Sequence, residues 1–204
     1  RGNMFPGGAL IAWRNELMRT GLHTKMAVNG MLVETNKGIL FRPSDKVRPV
    51  MKFPHNKTDD IRGCVVIYQS PHESGDNIPD DLYFIVHDPY ASDGFGASLG
   101  AAYVIKRINP YSKPDDMIVA SYVGRPDTQD EYNYNLFLLA RYFNARIGFE
   151  NDRGEVIPYA KRHKLLNYLM PEAEIFDKTD GVRIRKLNRT YGTSMGCLLY
   201  TSPS

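Results

Sequence analysis

Apolar residues fall mostly into short runs up to about residue 123 and into two helix-period stretches after it. The most compact run is Leu82-Tyr-Phe-Ile-Val-His-Asp88, followed at once by Pro89. Apolar side chains on both parities predict a strand covered on both faces, in the middle of a sheet. Proline lacks the amide donor a ladder needs, so pairing should falter just after Asp88. A carboxylate is thereby placed on rigid scaffold at the lip of a core.

On either side of this strand the pattern predicts further elements. Residues 9–20 put Leu10, Trp13 and Leu17 on one helical face, with Gly21 as the stop. From 26 to 69 come short β-type runs at 31–33, 38–41, 47–53 and 64–68, parted by turn formers at 36–38 and 43–45. They read as a β-rich adaptor entering the sheet, and the Pro-, Gly-, Asp- and Asn-rich stretch 70–81 delivers the chain to the strand ending at Asp88. Strands at 100–108 and 117–123 complete an antiparallel meander.

The period then changes. Thr128 stands three residues before Glu131, a capping-box spacing, and Tyr132, Leu136, Leu139, Ala140 and Phe143 form a helical stripe. Asn144-Ala145 closes that helix, and Arg146-Ile-Gly-Phe149 is a strand ending in Glu150. A helix over about 155–169, stopped by Pro171, and a strand at 182–187 follow. A strand, a helix and a second strand in one sheet imply a crossover, making the Phe149 strand parallel to its sheet neighbours. The expectation is an α/β domain with a mixed sheet: three antiparallel strands, then parallel ones, with helices on the faces.

Composition narrows this little. The 204 residues are 42% apolar and 24% charged, ordinary for a globular chain, and the net charge of +3 permits a nucleic-acid partner without requiring one. No apolar run is long enough for a membrane span. Two cysteines, Cys64 and Cys197, make no disulfide framework, so a reducing compartment is expected and the Asn56 and Asn188 triplets read as chance glycosylation matches. Both ends read as cut: the chain opens on Arg1 in front of a helical pattern, and 197–204 match no preceding periodicity and read as a non-native tail.

Candidate chemistry centres on Asp88 and Glu150, each ending an apolar strand. If the strands lie side by side, the carboxylates converge, and hard divalent cations such as Mg²⁺ take such oxygen ligands. The plainer reading makes Asp88 a turn residue before proline and Glu150 the start of the turn at 151–154. Asp152 and Asp93 are second-rank ligand candidates. His87 faces away from Asp88 by strand alternation. Gly96-Ala-Ser98-Leu-Gly100 has the spacing of a nucleophile elbow, but that device needs a strand before the serine and a helix after it, whereas here a loop precedes and a strand follows. No phosphate loop occurs, and two cysteines with scattered histidines build no zinc site. Basic residues gather late, as Lys161, Arg162, His163 and Lys164, then Arg183, Arg185, Lys186 and Arg189. With Arg125 they read either as a solvated face or as the lining of a DNA groove that contacts phosphates.

Val-His-Asp88-Pro-Tyr, Gly96-Ala-Ser98, Ala-Ser-Tyr122-Val-Gly-Arg125-Pro and Tyr-Phe-Asn144-Ala-Arg-Ile-Gly-Phe-Glu150-Asn together resemble the nuclease domain of phage terminase large subunits, with a flavour of crAss-like phages. The resemblance covers about residues 60–195. It implies an RNase H-like fold, with residues 61–196 as the nuclease domain and 1–60 as a linker and adaptor following an ATPase domain upstream. The implied activity is endonucleolytic cleavage of concatemeric double-stranded DNA during genome packaging, using two Mg²⁺ or Mn²⁺ ions, in the host cytoplasm. Portal protein and terminase small subunit are the implied partners. Asp88 matches the family's first-strand aspartate and Glu150 its fourth-strand acid. Ser98, Arg125, Lys161, Arg162, Arg183 and Arg185 are the expected DNA contacts. A third acidic ligand has no clear match, since Asp177 and Asp180 precede the last strand, so this chain could cut poorly. A resolvase- or integrase-type RNase H-like enzyme, or a noncatalytic DNA-binding or portal-docking module, fits the same pattern.

Overall fold

The computed structural model describes residues 27–50, 55–56, 59–71, 77–90, 98–107, 117–151, 155–171 and 191. Among the described residues, seven strands form one mixed sheet: β1 (Val28–Thr35), β2 (Gly38–Pro43), β3 (Cys64–Ile67), β4 (Tyr83–Asp88), β5 (Gly100–Lys106), β6 (Met117–Gly124) and β7 (Arg146–Phe149). Helix α1 (Gln129–Tyr142) joins β6 to β7, and α2 (Val156–Arg162) follows β7. The strand order is β2-β1-β3-β6-β5-β4-β7. Every pairing is antiparallel except β4 with β7.

The β4-β5-β6 meander and the parallel strand after α1 are as the pattern predicts. β4 is flanked by β5 and β7 but lies next to the edge strand, not in the middle. An apolar run needs cover on both sides, and any inner position supplies that. The β1–β2 hairpin, whose tight turn places Gly38 at φ +121°, is hydrogen-bonded through β1 to β3 and so is continuous with the sheet. Of the run predicted at 47–53, residues 47–50 are irregular and the remainder lies outside the described residues, as do the predicted helix 9–20 and the strand 182–187.

Strand alternation sorts the sheet into two unlike faces. Leu32, Val65, Ile67, Tyr122, Ala102, Val104, Ile85, Ile147 and Phe149 all belong to a single buried core with the apolar stripe of α1. The opposite face carries Cys64, Val66, Ser121, Tyr103, Val86 and Asp88, and is only partly covered.

Both helix ends are written locally. The Thr128 hydroxyl accepts the Glu131 amide at 3.1 Å, the N-cap anticipated from the sequence. At the other end Asn144 adopts φ +48°, and the Ala145 amide reaches back to Ala140 O at 2.8 Å, a Schellman closure. The same device shortens α2: Lys164 stands at φ +59° and Leu165 N–H donates to Ala160 O. The helix predicted to about Leu169 therefore stops at Arg162, and Leu166–Tyr168 form a 3₁₀ turn. Apolar spacing continued past the break because Leu165, Leu166 and Leu169 also pack inward.

Candidate functional site

The site is organised by the parallel pairing of β4 with β7. β4 and β7 match Phe84 with Arg146, Ile85 with Ile147, Val86 with Gly148 and His87 with Phe149. His87 and Phe149 are both buried in the core-facing direction. One step further along each strand stand Asp88 and Glu150, turned by the alternation to the opposite face. Adjacent strands run about 4.8 Å apart, so the His87–Phe149 pair brings the two segments that carry the acids close together. Asp88 is exposed and Glu150 half-buried.

The other strand ends at this rim come from β5 and β6. Asp88 pairs with Ala101, and Gly100 with Gly124. Beyond Gly124, the Arg125 guanidinium donates to Ser98 O at 2.9 Å and lies 4.7 Å over the Tyr90 ring. Tyr90 follows Asp88 by two residues, so Ser98 and Arg125, both expected DNA contacts, are brought to the same rim as the acid. Ser98 leads into β5, which excludes the nucleophile-elbow geometry of a strand followed by a helix. Gly100 is required here by contact: a β-carbon on it would sit 2.5 Å from the Tyr132 ring.

On the Asp88 face, Tyr103 lies diagonally across from the acid, opposite Val86 and Ser121. Its phenol is pushed up by burial and by the neighbouring Tyr68 and Asp88. Tyr68 and Ser121 hydroxyls are 3.0 Å apart, extending a polar row along this surface. None of these three carried a signal in the sequence, because strand-borne Tyr and Ser reveal a shared face only once register is known.

Behind Asp88, His87 is 2% exposed and stacks on Tyr132 at 5.4 Å. Burial, only partly offset by the bond to Ala101 O, holds its imidazole down at about 4, so it is neutral at pH 7. It faces away from Asp88, as alternation predicts. Tyr132 and Phe143 are core, Tyr142 is half-buried, and Tyr134 is exposed.

The late basic cluster divides. Lys161, Arg162, His163 and Lys164 are exposed at the end of α2. Arg162, however, is held by Asp130 at 2.6 Å and lies 3.9 Å from Glu155, while His163 stacks on Tyr159 at 4.2 Å. Arg162 thus fastens α2 to α1. Arg183, Arg185, Lys186, Arg189, Asp152, Asp93, Asp177, Asp180 and Cys197 lie outside the described residues.

Carboxylates are the ligand type a hard divalent cation takes, and Asp88 ends β4 while Glu150 directly follows β7. Among the described residues no group of three or more His, Cys, Asp or Glu side chains stands together. No helix among the described residues is long and apolar enough to cross a membrane. No protein-family model matches the chain, and no curated protein matches it.

Proposed function

We propose that this chain is a metal-dependent nuclease domain of RNase H-like type, from a terminase large subunit that cleaves concatemeric double-stranded DNA. The observation that supports the reading is the β4–β7 register, which ends on the His87–Phe149 pair, one residue short of Asp88 and Glu150 on their two segments. The wording of the segments around both acids supports the same family. Arg125 and Ser98 at this rim, and Lys161 on α2, fit contacts to DNA phosphates, which give affinity without sequence preference.

In this reading Asp88 and Glu150 would hold two Mg²⁺ or Mn²⁺ ions through their carboxylate oxygens. Such ions, when bound, supply an activated water and neutralise charge on the leaving 3′ oxygen. The chain's own contribution is to hold two carboxylates on adjacent strands and to keep the backbone behind them rigid through the His87–Tyr132 stack. Arg125 orients the phosphodiester, anchored by Ser98 O and the Tyr90 ring.

Nicking of supercoiled plasmid in Mn²⁺ by this chain tests the reading. Activity in the wild type and its loss in Asp88→Asn are expected. Activity that survives Asp88→Asn removes the catalytic assignment. A wild type that binds DNA but never nicks it favours a noncatalytic DNA-binding or portal-docking module.

A further inference from the structure

At the end of the sheet away from β7, β2 is the terminal strand, paired among the described residues on one side alone, with β1. In an antiparallel ladder alternate residues turn their N–H and C=O groups toward the neighbour, and those between turn theirs away. The register with β1 runs without a bulge from Thr35–Gly38 to Gly30–Pro43, so β2 is regular enough to template a further strand. Pro43, which has no N–H, marks where that template ends.

The centre of this edge is apolar. Leu40 is 51% exposed, and Met31, opposite Arg42 on the same face of the hairpin, is 41% exposed. On the other face Ile39 and Phe41 are only partly buried against the core. The charges stand at the two ends and have one sign. Lys37 precedes the apolar centre, Arg42 closes it, and Lys46 and Arg48 follow, all exposed. Asp45 is the one acid in residues 37–48. Among the described residues none of these four cations has an ion-pair partner, and Glu34 of β1 is already held by Arg141 at 2.7 Å.

We propose that the free edge of β2 is a docking site for an extended segment of another protein, with an apolar centre flanked by Asp or Glu, which adds to the sheet as a strand. Its main chain pairs with the groups β2 turns outward, its alternating apolar side chains lie beside Leu40 and Phe41, and its acids meet Lys37 at one end and Arg42 at the other. A second copy of this chain is a poor occupant, because pairing β2 with β2 brings two sets of the same cations together. Duplex DNA answers the charge but leaves the apolar side chains and the strand edge unused. The edge stands at the opposite end of the strand order from β4 and β7, so the inference is independent of whether Asp88 and Glu150 bind metal.

The test is fluorescence anisotropy on the full chain with a labelled, end-blocked peptide in which a run of valine and isoleucine stands between glutamates. Saturable binding is expected, weakened about tenfold or more when Arg42→Glu and Lys46→Glu are combined. The same peptide with lysines for glutamates should bind that double variant better than the wild type. Peptides N-methylated at alternate residues, in the two possible phases, separate strand addition from charge attraction. One phase should abolish binding and the other preserve it, because only every second amide of an added strand faces β2. Failure of the parent peptide to bind overturns the proposal, as does equal binding by the two methylated peptides. A concentration-dependent dimer abolished by Leu40→Glu gives the edge to a second copy, and a short duplex that binds where the peptide does not gives it to DNA. Either result also overturns the proposal.

Discussion

Asp88 and Glu150 stand one position beyond the His87–Phe149 pair, where parallel β4 and β7 leave the sheet together. Because His87 and Phe149 are buried, the two acids share the opposite and more open face. Rigidity comes from behind: the buried His87 ring stacks on Tyr132, which also stacks on Tyr122 at 4.9 Å and meets Tyr90 edge-on at 5.4 Å. Aromatic pairs of this kind contribute roughly 0.5–1.5 kcal/mol each beyond their burial.

The His87 environment makes stability pH-dependent. Its folded pKa is depressed to about 4 from an ordinary 6.5, so the unfolded chain takes up the proton first as pH falls. The stability tied to the neutral ring is complete above pH 6.5, declines as pH drops, and is gone by about pH 4. A shift of this size corresponds to roughly 3 kcal/mol. Urea unfolding in chelator at pH 7 and pH 4.5 should show this loss in the wild type and a smaller one in His87→Phe. Equal slopes in both proteins would show that another group carries the dependence.

Asn144 does two jobs at the end of α1. It takes the left-handed backbone conformation, and its side-chain amide donates to Ile78 O at 3.0 Å and Asp80 Oδ1 at 2.8 Å. Asn144→Ala should lower stability by roughly 1–3 kcal/mol, since it strains the backbone and removes both bonds. Asn144→Gly should recover the backbone part only. Thr128→Ala at the opposite cap should cost about 1 kcal/mol. Denaturant melts of the three variants decide the order.

Gly100→Ala inserts a β-carbon into the Tyr132 ring, and the ring is confined by His87, Tyr90 and Tyr122. Overpacking of this kind typically costs about 1–3 kcal/mol. The tyrosine and His87 ring signals should move together in the NMR spectrum. A variant as stable as the wild type would show that Tyr132 yields readily and does not brace the strand end.

Much of the fold was legible in periodicity. The meander, the α1 stripe, its Thr128 and Asn144 caps and the parallel strand that follows are all local patterns. The early end of α2 was not, because nothing in Lys164 announces a left-handed residue and the leucines beyond it keep helical spacing. The pairing of β4 with β7 was readable only as a possibility, since alternation gives each acid its face but not which strands are neighbours. The packing of Tyr90 against Tyr132 behind Asp88 was hidden for the same reason: the two come from separate elements, and Tyr132 reads as plain helix core. The tether from Arg162 to Asp130 escaped notice because an ion pair leaves no trace in a count of basic residues.

DNA binding should separate the basic residues. Arg162→Ala removes the contact to Asp130 and should lower stability by no more than about 1 kcal/mol, as expected of an exposed pair. Lys161→Ala should leave stability unchanged and reduce the salt dependence of DNA binding by about one unit of slope. Fluorescence anisotropy with a short duplex across a salt series measures this. An unchanged slope places the DNA elsewhere.

The central claim is that Asp88 and Glu150 share bound cations, and calorimetric titration with Mn²⁺ tests it most directly. The wild-type chain should bind Mn²⁺, and Asp88→Asn and Glu150→Gln should each weaken that binding by at least about tenfold. The double variant should lose little more than the worse single one, because the two acids complete one site. Mn²⁺ binding that is unaffected by either substitution, or weakened by one and indifferent to the other, would contradict the account.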